Sequence, residues 1–117
     1  MTNEEKRIAI AEICGWQIIG RPDQYDPPKG FPSGVLMTAK NVQDVPDYLN
    51  DLNAMHDAEN EVFKRNMQGT WLAAMVEIAS GETGIHWSDY ADCPEMAHTT
   101  AAQRGDAFLM TFGILKP

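Results

Sequence analysis

The segment from Val45 to Arg65 constrains the fold most, because it carries the clearest amphipathic helix pattern in the chain. Pro46 disfavours helical geometry at the residue before it, so a helix is predicted to begin after Pro46, with Asp47 or Asp51 as its N-cap. At about 3.6 residues per turn, the apolar side chains fall on one face and the polar ones on the other. The predicted apolar face consists of Tyr48, Leu49, Leu52, Met55, Val62 and Phe63. Such a helix packs on a hydrophobic core.

Two titratable residues interrupt this apolar face. Glu59 projects near its middle and His56 beside it, and residues three apart on a helix are neighbours. A functional interpretation makes them an acid/base couple or two metal ligands, and they are the catalytic candidates of the sequence. The structural interpretation is favoured, because metals usually take three or four protein ligands. An unpaired buried carboxylate is costly, so Glu59 should pair with His56 and with Arg104, whose guanidinium can donate two hydrogen bonds.

Two further helices are predicted from capping boxes, in which a threonine and a Glu or Gln three residues later bond to each other's backbone N–H. The two pairs are Thr2 with Glu5, and Thr100 with Gln103. The first helix should extend from Asn3 to Cys14 and the second from Thr100 to Phe112. The glycine that follows each predicted end is a typical left-handed stop.

The intervening sequence predicts a small sheet. Trp16–Ile19 is short and β-prone, Gly20–Phe31 is rich in proline and glycine and predicts a loop, and Gly34–Thr38 predicts a second strand. A two-stranded hairpin is marginal alone, so it must pack on helices. The chain is therefore predicted to be a single α+β domain of 117 residues, with a small, mainly antiparallel sheet flanked by helices.

The segment after the central helix allows two interpretations. In Trp71–Ala79 a helical spacing of apolar residues favours a short helix, but the run is nearly all apolar and a strand is the alternative. The predicted buried positions of that helix are Leu72, Met75, Val76 and Ala79. Ile85–Trp87 predicts a short strand after a glycine-rich turn.

The composition limits the classes of partner. The net charge is -8 with only nine basic residues, and these are scattered along the sequence, so direct nucleic-acid binding is not expected. Two cysteines, Cys14 and Cys93, are too few for a disulfide scaffold and are typical of a reduced cytosolic protein. The sequence has no signal-peptide pattern and no apolar run of membrane-spanning length, so a cytosolic location is expected and no membrane contact.

The sequence contains no motif that indicates a cofactor. A glycine-rich phosphate loop, a nucleophile elbow and a Cys-x-x-Cys pair are all missing from it. Cys93, His86 and His98 could form a loose metal cluster, but their spacing fits no standard zinc pattern. The prediction is therefore no metal and no cofactor.

Three patches resemble a known family. They are Cys14-Gly15-Trp16, the stretch Val45–Glu59 (VPDYLNDLNAMHDAE) and the stretch His98–Leu109 (HTTAAQRGDAFL). Together they resemble the phage ABA sandwich domain, a family of small phage and prophage proteins. The resemblance implies a helix–sheet–helix sandwich and a phage origin, and it implies no activity. Two departures concern the last helix: Gly105 stands where alanine is expected, and the C-terminal residues lack an expected tryptophan.

These observations favour a non-enzymatic phage accessory protein that binds another protein. The sequence leaves open the identity of that partner and the oligomeric state of this protein. A narrower form is an acidic inhibitor of a host nucleic-acid-processing or defence machine, with its carboxylates on one face. A second class is a small enzyme that uses His56 and Glu59, perhaps with His98. A third is a virion assembly component, which would form a symmetric homo-oligomer.

Overall fold

The computed structural model describes residues 1–20, 25, 27–80 and 99–115. These residues form four α-helices and a three-stranded antiparallel sheet, which confirms the predicted α+β class. In chain order the elements are α1 (Asn3–Ile13), β1 (Gln17–Ile19), β2 (Lys29–Phe31), a 3₁₀ helix (Ala39–Asn41), β3 (Gln43–Asp44), α2 (Leu52–Lys64), α3 (Gln68–Ser80) and α4 (Ala101–Thr111). The predicted strand Ile85–Trp87 lies outside the described residues.

Local hydrogen bonds define where three of the helices begin. At α1, Thr2 Oγ1 accepts from the N–H of Glu5 and the Glu5 carboxylate accepts from the N–H of Thr2. Thr100 and Gln103 form the same reciprocal pair at α4. Of the two candidates for α2, Asp51 is the cap, since its Oδ1 accepts from the first free amides of the helix.

Two positions beyond the last residue of each of these three helices stands a residue with left-handed backbone geometry. These residues are Gly15 (φ +93°), Asn66 (φ 58°) and Gly113 (φ +76°). In each case the next residue donates its N–H back to a carbonyl five positions earlier, at distances of 3.0, 2.9 and 2.9 Å. This is the Schellman arrangement, which satisfies carbonyls that a helix end leaves free.

The sheet differs from the prediction in its second strand, because β2 lies at Lys29–Phe31 and not at Gly34–Thr38. β2 pairs with β1 on one side and with β3 on the other. A Cβ at Gly30 would lie 2.5 Å from Gln17 O, so this pairing requires a glycine that strand propensity counts as unfavourable. Gly34 has φ +82° and is the second central residue of the Pro32–Val35 turn, so the backbone turns where the strand was predicted to begin.

The segment Trp71–Ala79 is helical and belongs to α3. Its buried residues are Trp71, Ala74, Met75 and Val76, whereas the predicted positions Leu72 and Ala79 are half-buried. The helix therefore presents a face rotated towards Trp71 when it packs on α4.

On α2 the buried face is also rotated from the prediction. Leu52 and Phe63 were expected in the core, but they are 42% and 56% exposed. The buried positions are Met55, Ala58, Glu59 and Val62. Leu52 and Phe63 lie at one edge of this set, and the ring of Phe63 meets Trp71 of α3 edge-on, with 5.8 Å between the ring centroids.

The hydrophobic core is centred on α4, which packs against α1, α2 and α3. Phe108 and Leu109 of α4 are fully buried. Gly105 allows close approach to this helix, because a Cβ there would lie 2.5 Å from Leu49 Cδ2 and 3.5 Å from Ile10 Cδ1. The closest neighbour is thus a side chain from the turn before α2. No helix among the described residues is both long enough and apolar enough to cross a membrane.

Candidate functional site

The structure brings Glu59, His56 and Arg104 together between α2 and α4. Arg104 Nη1 donates to both carboxylate oxygens of Glu59, at 3.1 Å to Oε1 and 3.0 Å to Oε2. His56 Nδ1 lies 3.1 Å from Glu59 Oε1. The helical period of α2 places Glu59 on its buried face and His56 beside it, while the first turns of α4 carry Arg104 over the carboxylate.

Burial differs strongly within this network. The side chains of Glu59 and Arg104 are 5% and 15% exposed, whereas that of His56 is 50% exposed. Arg104 Nε is buried and has no hydrogen-bond partner among the described residues. Both oxygens of Glu59 are occupied. The cluster is therefore an ion-paired contact between α2 and α4, in which the positive charge of Arg104 compensates the negative charge of Glu59.

A second site is a cleft of about 260 Å³ between the end of α1, the segment before α2, and α2 itself. We call it the Trp16 cleft. Its lining residues are Cys14, Trp16, Pro46, Tyr48, Ala54, Asp57 and Ala58. They come from three separate parts of the sequence, so no local motif predicts the cleft.

Backbone contacts from two arginines hold the walls of the Trp16 cleft in place. Arg7 on α1 donates to the carbonyls of Val45 and Pro46, with Nε 2.9 Å from Pro46 O. Arg65 at the end of α2 donates to Ile13 O at 2.8 Å. Both cations are therefore bound to carbonyl oxygens.

Cys14 in the Trp16 cleft is a poor nucleophile. Burial, helped by the negative charge of Glu61, raises the pKa of its thiol from 9.0 to about 11. Its Sγ lies 3.9 Å from Ala58 O, within range of a weak hydrogen bond. The thiolate is the reactive form, so Cys14 does not have the lowered pKa of a catalytic cysteine.

Tyr48 in the same cleft is also neutral at physiological pH. Burial raises the pKa of the phenol above its usual value, and Cys14 and Asp57 act in the same direction. Asp57 is the only charged residue that lines the Trp16 cleft among those the structure describes.

A third feature is an exposed apolar loop, Val35–Leu36–Met37, between β2 and the 3₁₀ helix. The three side chains are 37%, 77% and 64% exposed. Asn41 Nδ2 donates to Leu36 O at 2.8 Å, which fixes the loop backbone. The sequence interpretation placed these residues in a strand; the Ser33-Gly34 turn signal and the lack of polar alternation could have indicated a loop.

The three residues that the sequence offered as metal ligands do not belong to the described part of the chain. They are His86, Cys93 and His98. Within the described ranges, no three or more His, Cys, Asp or Glu residues are arranged to hold a metal ion.

Comparison with known proteins gives no relative. No family model matches this chain, and no match was found among curated proteins or solved structures. The resemblance to the phage ABA sandwich domain therefore stays a prediction that rests on the three sequence patches alone.

Proposed function

We propose that this protein is a phage- or prophage-encoded accessory protein that binds another protein in the host cytosol, with the Val35–Met37 loop as its contact surface. The observation that carries the proposal is the exposure of three consecutive large apolar side chains on a fixed loop. Contiguous exposed apolar surface is typical of interaction sites.

The loop offers enough apolar surface to matter energetically. Full burial of a leucine or methionine side chain contributes about 1.5–3 kcal/mol. Leu36 and Met37 together therefore contribute about 3–6 kcal/mol of burial energy towards offsetting the cost of association. The net charge of -8 adds electrostatic attraction to a basic partner, which raises the association rate.

The alternatives have weaker support. An enzyme using His56 and Glu59 would need an available carboxylate, but both oxygens of Glu59 are engaged and the side chain is 5% exposed. The acidic-inhibitor form is supported by the net charge alone. A virion component would form a symmetric homo-oligomer, which light scattering would detect.

Site-specific photo-crosslinking in host cells tests the proposal. A benzophenone amino acid at position 36 should give one predominant heavier adduct, identifiable by mass spectrometry. The same group at Asn60, which is exposed on α2, is the matched control and should give no such adduct. The double variant Leu36→Ser/Met37→Ser should fold normally and lose the partner in a pull-down. No specific adduct at position 36 would overturn the proposal.

A further inference from the structure

The Trp16 cleft combines aromatic walls with a carboxylate. Trp16 and Tyr48 line it together with Pro46, and Asp57 supplies a negative charge. Proteins bind cationic groups with aromatic rings, and an adjacent carboxylate adds direct Coulomb attraction.

The charge of Asp57 is available for a ligand. Asp57 is exposed and has no ion pair with any described residue, whereas Glu61 on the same helix contacts Lys64 at 3.3 Å and Arg65 at 3.4 Å. The two nearby arginines, Arg7 and Arg65, donate to backbone carbonyls. Asp57 thus gives the cleft a negative end that no described side chain neutralises.

The size of the cleft selects the kind of ligand. Its volume of about 260 Å³ is below the roughly 300–1,000 Å³ of pockets that hold small molecules, so it fits a single side chain. A lysine has a flexible apolar stem, which can pack between Trp16 and Tyr48, and a compact ammonium head. The guanidinium of arginine is a wider planar fork than the ammonium of lysine, so comparing the two cations tests whether the cleft takes the compact head.

We propose that the Trp16 cleft binds the side chain of a lysine on a protein partner, with the ammonium at Asp57 and the stem between Trp16 and Tyr48. This assignment rests on the proposed function, since the lysine belongs to the partner protein. It adds a specific polar contact to the apolar contact of the Val35–Met37 loop, and it explains how an acidic protein selects a basic partner.

The test uses N-acetyl-lysine-methylamide as the probe and NMR as the readout. Titration should shift the indole N–H signal of Trp16 saturably, with a dissociation constant on the order of 1 mM, as for a single weak contact. N-acetyl-norleucine-methylamide has nearly the same stem without the charge and should produce no saturable shift. The corresponding arginine derivative should bind more weakly than the lysine derivative.

Two variants that change the net charge equally distinguish binding at a defined site from general electrostatic attraction to an acidic protein. Asp57→Asn should weaken binding of the lysine probe about three- to fivefold, as expected for one partly exposed ion pair. Glu4→Gln changes the net charge equally but lies in a different cleft, lined by Asn3 and Arg7, and should leave binding unchanged. Trp16→Leu should abolish the saturable response, read from the aromatic signals of Tyr48, while the melting temperature reports whether the fold persists.

Several results would overturn the lysine assignment. They are the absence of a saturable shift, an equal response to norleucine, tighter binding of the arginine derivative, or equal losses in Asp57→Asn and Glu4→Gln. The titration needs no partner, so its failure is distinct from a failure of the crosslinking at Leu36. A partner captured through Leu36 together with a flat lysine titration would refute the cleft assignment alone.

Discussion

Arg104 Nη1 bridges the two carboxylate oxygens of Glu59, at 3.1 and 3.0 Å, across 45 residues of sequence. The contact ties α4, the centre of the core, to α2. Both side chains are largely buried, at 15% and 5% exposure, so water compensates little of either charge if its partner is removed.

Glu59→Ala should therefore lower the free energy of unfolding by about 3–5 kcal/mol, because it leaves a buried guanidinium unpaired. For a domain of this size that corresponds to a fall in melting temperature of roughly 10–20 °C. Circular dichroism during heating measures it. Asp57→Ala, on the exposed side of the same helix, should change the free energy by less than about 0.5 kcal/mol. Equal, small shifts in both variants would contradict the burial of Glu59.

The pairing itself is tested by a double-mutant cycle. The effects of Glu59→Ala and Arg104→Ala on the free energy of unfolding should be non-additive, with a coupling free energy above about 0.5 kcal/mol. Each single substitution leaves the charge of the remaining residue unpaired. Urea denaturation of the four proteins gives the values. Additive effects would show that the two side chains do not interact in solution.

The thiol of Cys14 should react slowly in the folded protein. In a Cys93→Ser background one thiol remains. Its pKa of about 11 leaves roughly a hundredfold less thiolate at pH 8 than an ordinary thiol pKa of 9.0 would give. A chromogenic disulfide reagent at pH 8 should therefore label native protein at least about a hundredfold more slowly than urea-unfolded protein. Equal rates in both states would refute the burial of the thiol.

The same shift predicts a direction for stability against pH. The folded state holds the Cys14 proton more tightly than the unfolded state, whose thiol pKa is near 9.0. The contribution of this group is thus complete below pH 9.0 and is lost as the pH rises through about 11. Cys14→Ala in the same background should remove this part of the alkaline destabilisation.

Asn66 should tolerate glycine better than alanine. Its φ of 58° at the end of α2 lies in the left-handed region, which costs a Cβ-bearing residue other than Asn or Asp roughly 1–2 kcal/mol. Asn66→Ala should therefore lower the free energy of unfolding by about 1 kcal/mol, and Asn66→Gly should change it little. Urea denaturation compares them, and an alanine variant as stable as the glycine variant would contradict the left-handed geometry.

Gly105→Ala should stabilise the protein less than helix propensity alone predicts. The propensity gain is about 1 kcal/mol, but the new Cβ would lie 2.5 Å from Leu49 Cδ2 and displace that side chain. Leu49→Ala removes the side chain that the new Cβ would meet. In that background Gly105→Ala should raise the free energy of unfolding by the full propensity gain. The same gain in both backgrounds would show that Leu49 yields without cost.

The sequence alone determined the features whose causes are local. The capping boxes at Thr2 and Thr100 and the left-handed stops at Gly15 and Gly113 arise from bonds between residues a few positions apart. Helical periodicity likewise identified Glu59 as a buried charge. Because a buried charge needs compensation, the same periodicity also predicted a basic partner for Glu59.

Tertiary structure decided whatever depends on contacts between distant segments. The second strand forms at Lys29–Phe31, against local propensity, because Gly30 permits close approach to Gln17 of β1. The rotation of α2 leaves Phe63 exposed, since packing on α4 and not periodicity sets which edge of an apolar face is covered. The Trp16 cleft joins side chains from three segments, and no sequence spacing encodes a volume that exists only after those segments pack.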